Sequence, residues 1–283
     1  MPRVPDDYIG SVIYLYPSEA DAREGRQVGG SGFLVRVPFG DILEGGLRAN
    51  QIYAVTNRHV LDDGNVFVRM NTRDATFDVM EIPATEWARH PLGWDVAIAP
   101  IMFRHPEWQY VAIPNHDLLT KKQADELNVG PGDDVFLVSR FLGHEGRARN
   151  LPILHMGVVS MQPLEDVKNE RTGLGEPSYL VETHSRPGYS GSPVYGYISP
   201  NQPQLGVARD LTPRTFLLGV AWGFLPAPAR IENDGGAELP AVVRMPSGIA
   251  AVIPAWHIQQ VLDEEEIVNK RNLIEEAVKK QIK

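Results

Sequence analysis

The feature that most constrains the fold of this chain is the way its apolar residues are cut into short runs. SVIYLYP, GSGFLVRVPF, IYAVTNRHVL, NVFVRM, TFDVMEI and DVAIAPIMF follow one another up to about residue 110. All carry β-branched and aromatic residues at strand-like lengths. A spacing of roughly 10–15 residues between them predicts a sandwich or barrel. Gly and Pro, at 26 and 23 residues, supply many turns, which favours strands joined by loops over a helical bundle.

Residues 111–130 break the pattern. VAIPNHDLLTKKQADELNVGPGD lacks strand character and ends in a turn signal. It reads as a connection between two lobes, with a helical turn in KKQADEL. Strand-like runs then resume as DVFLVSR, PILHMGVVSM, SYLVETH, GSPVYGYI, TFLLGVAWGF and SGIAAVIP. From about 255 the chain reads as helix. DEEEIVNKRNLIEEAVKKQIK starts with acids and ends with lysines, which complements the helix dipole. Ile267, Arg271, Ile274, Val278 and Ile282 fall on one stripe, with Arg271 interrupting it. Such a stripe packs on its own domain or serves a regulatory partner or self-association. The expected divisions are 1–110, 111–130, 131–254 and 255–283.

Composition removes several function classes. A net charge of -9 gains little from a phosphate backbone, so nucleic acid is not an expected partner. The chain has no cysteine, so it needs no oxidising compartment and does no cysteine chemistry. No segment approaches the ~18 apolar residues of a membrane span. The N-terminus lacks a leader pattern, so a cytoplasmic location with no membrane partner is expected. HExxH is absent and the histidines are scattered, so neither a metal nor another cofactor is expected. VGGSGF at 28–33 precedes a strand rather than a helix, unlike a nucleotide loop.

Serine needs a base within hydrogen-bond reach, the base needs an orienting group, and the oxyanion needs backbone N–H donors. RPGYSGSPV offers Ser190 in a glycine-rich turn. There Gly188 permits a sharp bend, and the N–H groups of Gly188 and Ser190 would converge on one oxygen. IYAVTNRHVL brings His59 to the end of an apolar strand. GWDVAIAPI places Asp95 at the mouth of a buried strand, where a carboxylate is costly unless it is paired. Each residue alone has a plain structural reading: a turn, a structural histidine, a strand-end cap.

Together they resemble the trypsin-like (chymotrypsin-fold) serine peptidases. The order His59, Asp95, Ser190 is that family's order. TNRHV is similar to the TNxHV form of bacterial members, DVAI to the motif around the aspartate, and GYSGSP to GxSGxP. GSGFLV at 30–35, GVVS at 157–160 and AWG at 221–223 also resemble family segments. The resemblance implies an all-β fold of two antiparallel six-stranded barrels followed by a C-terminal helix. It implies a peptide-hydrolysing triad, with His59 as base, Asp95 as its orienting acid and Ser190 as nucleophile. Ala221, Trp222 and Gly223 would bind the backbone of a polypeptide substrate.

The departures carry information. Digestive members have Asp just before the serine, to pair with a new N-terminus after zymogen cleavage; here Tyr189 stands there, so no such activation is expected. The pocket acid that trypsins place six residues before the serine is His184 here. This predicts a neutral or small apolar P1 residue, with an acidic P1 paired to His184 as the alternative. The 31 residues from Ser190 to Ala221 imply an inserted loop around ISPNQPQLGVARDLTPR. The tail is too short for the PDZ domain that some bacterial members carry. An idle trypsin-fold binding module is the rival from another class. An esterase with the same triad is the second, disfavoured by the lack of alternating helices.

Overall fold

The computed structural model describes residues 4–40, 49–102, 105–141, 143–183, 188–198, 214–232 and 238–282. In chain order the first half comprises α1 (Asp6–Gly10), β1 (Val12–Tyr16), α2 (Glu19–Glu24), β2 (Gly30–Pro38) and β3 (Asn50–Thr56). Then come α3 (Arg58–Asp62), β4 (Phe67–Asn71), β5 (Phe77–Glu81), β6 (Ala88–Arg89), β7 (Ala97–Pro100) and β8 (Ile113–Pro114). After α4 (Lys121–Glu126) the second half contains β9 (Asp134–Ser139), β10 (Ile153–Met161), β11 (Asp166–Lys168), β12 (Gly175–Pro177) and β13 (Tyr179–Glu182). It closes with β14 (Ser192–Ile198), β15 (Arg214–Glu232), β16 (Glu238–Pro254), α5 (Trp256–Leu262) and α6 (Glu265–Ile282).

Strands β10, β13, β16, β15, β14 and β9 close on themselves as a six-stranded barrel, and every pairing in it is antiparallel. The first half forms an eight-stranded sheet in the order β5-β4-β1-β2-β3-β7-β6, with β8 added alongside β2. Here the expectation of a second six-stranded antiparallel barrel needs refinement. The described pairings of the first sheet run as an open path, and β8 lies parallel to β2. The parallel pairing arises because β8 belongs to the segment leaving the first sheet, not to a hairpin within it.

Alternation of side chains explains why these strands read as unbroken apolar runs. Val12, Tyr14 and Tyr16 of β1 face one core, and Ile13 and Leu15 face another. Tyr53 and Val55 of β3 divide from Ile52 and Ala54 in the same way. One face of the first sheet thus shares its core with the barrel, through residues such as Phe136 and Tyr195. The other face is covered by Val60 and Leu61 of α3 and by Trp87 and Trp108. A strand buried on both faces has no polar alternation to show.

The connection at 111–130 contains β8, a 3-10 turn at Asn115–Asp117 and α4. Helix α4 is held by a capping box between Thr120 and Gln123. The tail is two helices, not one, with the break at Asp263–Glu264. The Arg271 guanidinium donates to the Leu262 carbonyl at the end of α5 (3.3 Å), satisfying an acceptor that the ended helix leaves open. Ile267 is buried in the shared core, and Ile274 and Val278 are half-buried, so this stripe packs on the protein's own surface. No helix among the described residues is long and apolar enough to cross a membrane.

Candidate active site

His59 lies in the first turn of α3, immediately after β3, with Asn57 as the residue that starts the helix. Asp95 sits two residues before β7 and is fully buried. Its carboxylate meets His59 twice. Oδ1 accepts the His59 backbone N–H at 2.8 Å, and Oδ2 lies 2.5 Å from Nδ1 of the ring. A buried carboxylate demands such partners, and this pair fixes which imidazole nitrogen faces the cleft.

The serine turn comes from the other sheet. Gly188 has φ +98° and Gly191 φ +81°, both in the left-handed region that favours glycine. Gly191 is needed for space as well, since a Cβ there would lie 1.8 Å from the Ser31 carbonyl oxygen. Ser31 belongs to β2, so the serine turn presses against the first sheet. The Ser31 N–H donates to the Ser190 carbonyl at 2.9 Å. Asn57 bridges the same seam, donating to the Asp95 carbonyl (2.6 Å) and accepting from the Gly191 N–H (2.6 Å).

Ser190 Oγ donates to the Trp222 carbonyl at 3.2 Å, and no hydrogen bond joins it to His59 among the described residues. A serine hydroxyl swings on one single bond, and such contacts are often loose before substrate arrives. Neither the Gly188 N–H nor the Ser190 N–H donates to any acceptor among the described residues. The Gly188 carbonyl is taken up by Arg140, whose Nε donates to it at 3.0 Å. Arg140 is buried and also donates to the Val28 carbonyl. It anchors the turn without occupying its N–H groups.

A cavity of about 340 Å³ opens beside Ser190, with Trp222, Gly223, Phe224, Asn169 and Arg171 among its lining residues. Trp222 is buried and its indole N–H donates to Ser178 Oγ at 2.9 Å. The register of β15 on β16 slips between Ala221 and Gly223, so Trp222 stands in a bulge. Ala221 is committed to the barrel, since its carbonyl accepts the Gly191 N–H at 2.9 Å. A Cβ at Gly223 would meet nothing within 4 Å, so that residue borders open space. His184 lies outside the described residues, as do residues 199–213, which make up most of the expected inserted loop.

Sequence reasoning missed the residues around the back of Asp95. Asn169 and Glu176, both buried, come from the hairpin formed by β11 and β12. Asn169 Nδ2 donates to Asp95 Oδ2 at 3.2 Å, and Glu176 Oε2 accepts the Asp95 backbone N–H at 3.1 Å. Burial pushes the Glu176 carboxyl up to about 7. The segment EDVKNERTGLGEPS is polar and glycine-rich, and nothing in its pattern marks a hairpin that reaches the other sheet. Among the described residues no group of three or more His, Asp or Glu is arranged to hold a metal ion.

The closed barrel, the facing sheet and the seam between His59–Asp95 and the Ser190 turn agree with what comparison with known families shows. A model of the trypsin-like peptidase domain matches residues 30–196, and the chain belongs to that family. The match spans His59, Asp95 and Ser190. No curated protein matches the chain.

Proposed function

We propose that the chain is a serine endopeptidase that hydrolyses peptide bonds through an acyl-enzyme intermediate. The observation that carries this reading is the 2.5 Å contact of His59 Nδ1 with the buried Asp95 carboxylate, at the same seam as the Ser190 turn, whose Gly188 and Ser190 N–H groups meet no acceptor among the described residues. Ser190 attacks the carbonyl carbon while His59 takes its proton through Nε2. Asp95 holds the tautomer and stabilises the imidazolium. The Gly188 and Ser190 N–H groups receive the oxyanion, where one donor is worth ~3–4 kcal/mol. The imidazolium then gives its proton to the leaving amine, and water releases the acid in the reverse sequence. For this the Ser190 hydroxyl leaves the Trp222 carbonyl and turns to the ring.

Substrate backbone adds along Trp222 and Gly223, and the P1 side chain, neutral or small and apolar, enters the adjoining cavity. The cysteine-free chain suits a reducing compartment, and intracellular processing or regulatory proteolysis is the role we infer. The test is labelling by a fluorophosphonate, followed by profiling of cleavage sites in a denatured proteome. Labelling that is lost in Ser190→Ala and His59→Ala, with cleavage products that vanish in the same variants, is the expected result. A folded wild-type chain that neither labels nor cleaves would overturn the reading in favour of an idle binding module.

A further inference from the structure

Asp95 is held from two sides. From its own sheet it meets His59 and Asn57. From the barrel side it meets the β11–β12 hairpin, whose two buried side chains are committed to it. Asn169 has no freedom to turn its amide. Its Oδ1 accepts the Arg171 N–H at 3.0 Å, which points Nδ2 at Asp95 Oδ2 (3.2 Å) and Glu176 Oε1 (3.4 Å). Glu176 is fixed in turn. Thr172 Oγ1 donates to Oε1 at 2.9 Å, and the Asp95 N–H donates to Oε2. The hydrogen bond from Asn169 therefore falls on the same carboxylate oxygen that faces His59 Nδ1.

We infer that Asn169 is a positioning residue for the triad, fixing the rotation of the Asp95 carboxylate and through it the His59 ring, and that Glu176 is its anchor. The inference rests on the endopeptidase reading for its consequence in rate, but not for its geometry. Without Asn169 both carboxylate oxygens would be held by His59 alone, Oδ1 by its backbone N–H and Oδ2 by its ring, so ring and carboxylate could shift together. Asn169 gives Oδ2 a second partner that does not belong to His59, which fixes the carboxylate independently of the ring it orients. The hairpin also borders the cleft, since Lys168, Asn169, Glu170 and Arg171 line the cavity beside Ser190. Contacts made by a bound substrate thus reach the orienting acid through one short loop.

The test uses the full chain with Asn169→Ala and, as a shape-conserving second variant, Glu176→Gln. Two quantities are read: the saturation kinetics of fluorophosphonate labelling, and the low-field proton resonance of the His59–Asp95 hydrogen bond. The maximal labelling rate is expected to fall about 10-fold, as loss of one hydrogen bond to a charged group implies, with the half-saturating probe concentration unchanged. The resonance should shift in both variants, and Asn169→Ser, which keeps a donor, should recover part of both effects. A variant that folds and leaves both the rate and the resonance unchanged overturns the proposal. Should the wild-type chain fail to label at all, the endopeptidase reading fails by itself, and the resonance still decides whether Asn169 governs the Asp95 contact.

Discussion

The side-chain carbonyl of Asn57 accepts the backbone N–H of Gly191 at 2.6 Å, tying the residue two before the histidine to the residue just after the serine. The same amide donates to the Asp95 carbonyl. One neutral side chain therefore sets the spacing among all three members of the proposed triad. Asn57→Ala takes the Asn57 amide from the Asp95 carbonyl and leaves the Gly191 N–H with the Ala221 carbonyl alone. The expected cost is about 2–4 kcal/mol of stability from the two lost contacts, with a loss of labelling larger than the change in fold accounts for. Urea denaturation and labelling rates on the same preparation check both parts.

Gly191→Ala should be worse than its single methyl implies. The new carbon would lie 1.8 Å from the Ser31 carbonyl oxygen and 2.6 Å from Thr56 Oγ1, on a backbone already at positive φ. Since neither neighbour is a flexible chain end, the turn must shift away from β2. We expect labelling at Ser190 to be abolished, while circular dichroism retains the β spectrum. Normal labelling in this variant would show that the turn tolerates displacement.

Gly223→Val is expected to fold as the wild type does, because nothing lies within 4 Å of the new Cβ. The added bulk instead narrows the cavity beside Ser190. Cleavage-site profiles should lose bulky P1 residues while small ones persist. An unchanged profile would place the P1 side chain elsewhere.

Two buried groups oppose each other in their pH dependence. Glu176 holds its proton to about 7, against an ordinary value of 4.5, mainly because burial disfavours the ionised form. Below 4.5 its contribution to stability is complete. It is lost as pH climbs through 7, because the folded chain there binds more protons than the unfolded one. His257 is pushed down from 6.5 to about 4 by burial. Its contribution is complete above 6.5 and is lost as pH falls towards 4. Each is worth up to about 3 kcal/mol, so the two largely cancel between pH 4.5 and 6.5. Glu176→Gln should expose stability that rises with pH over this window. His257→Gln should expose stability that falls. Urea midpoints at several pH values distinguish the slopes, and parallel curves for the two variants would contradict the assignment.

The candidate triad was legible because each member lies in a short string whose neighbours are fixed by local geometry. β3 delivers His59, β7 follows Asp95, and the glycines at 188 and 191 shape the serine turn. The strands of both sheets were legible for the same reason, as runs bounded by breaks. What could not be read were contacts made across long sequence distances by residues with no local pattern. Asn169 and Glu176 lie in a polar hairpin and reach Asp95 only after the two sheets meet. The full length of β15 and β16 was hidden for another reason. Pro226 and Pro228 argue against a strand in the sequence, yet beyond the barrel β15 pairs only with β16 among the described residues, so each proline can turn its missing N–H to the other edge. The break between α5 and α6 was missed because Asp263–Glu266 reads equally well as the first turn of one helix.

The barrel closes only through β16, which pairs with β13 on one side and with β15 on the other, down to the match of Gly219 with Pro254. Its residues follow those of every other described strand. While the ribosome is still extending the chain, His59 and Asp95 have been made, but the wall that supports Trp222 and the Ser190 turn has not. A nascent chain therefore carries no finished cleft. The order of strands along the polypeptide thus delays completion of the proposed site until the last strand of the barrel, β16, has been made.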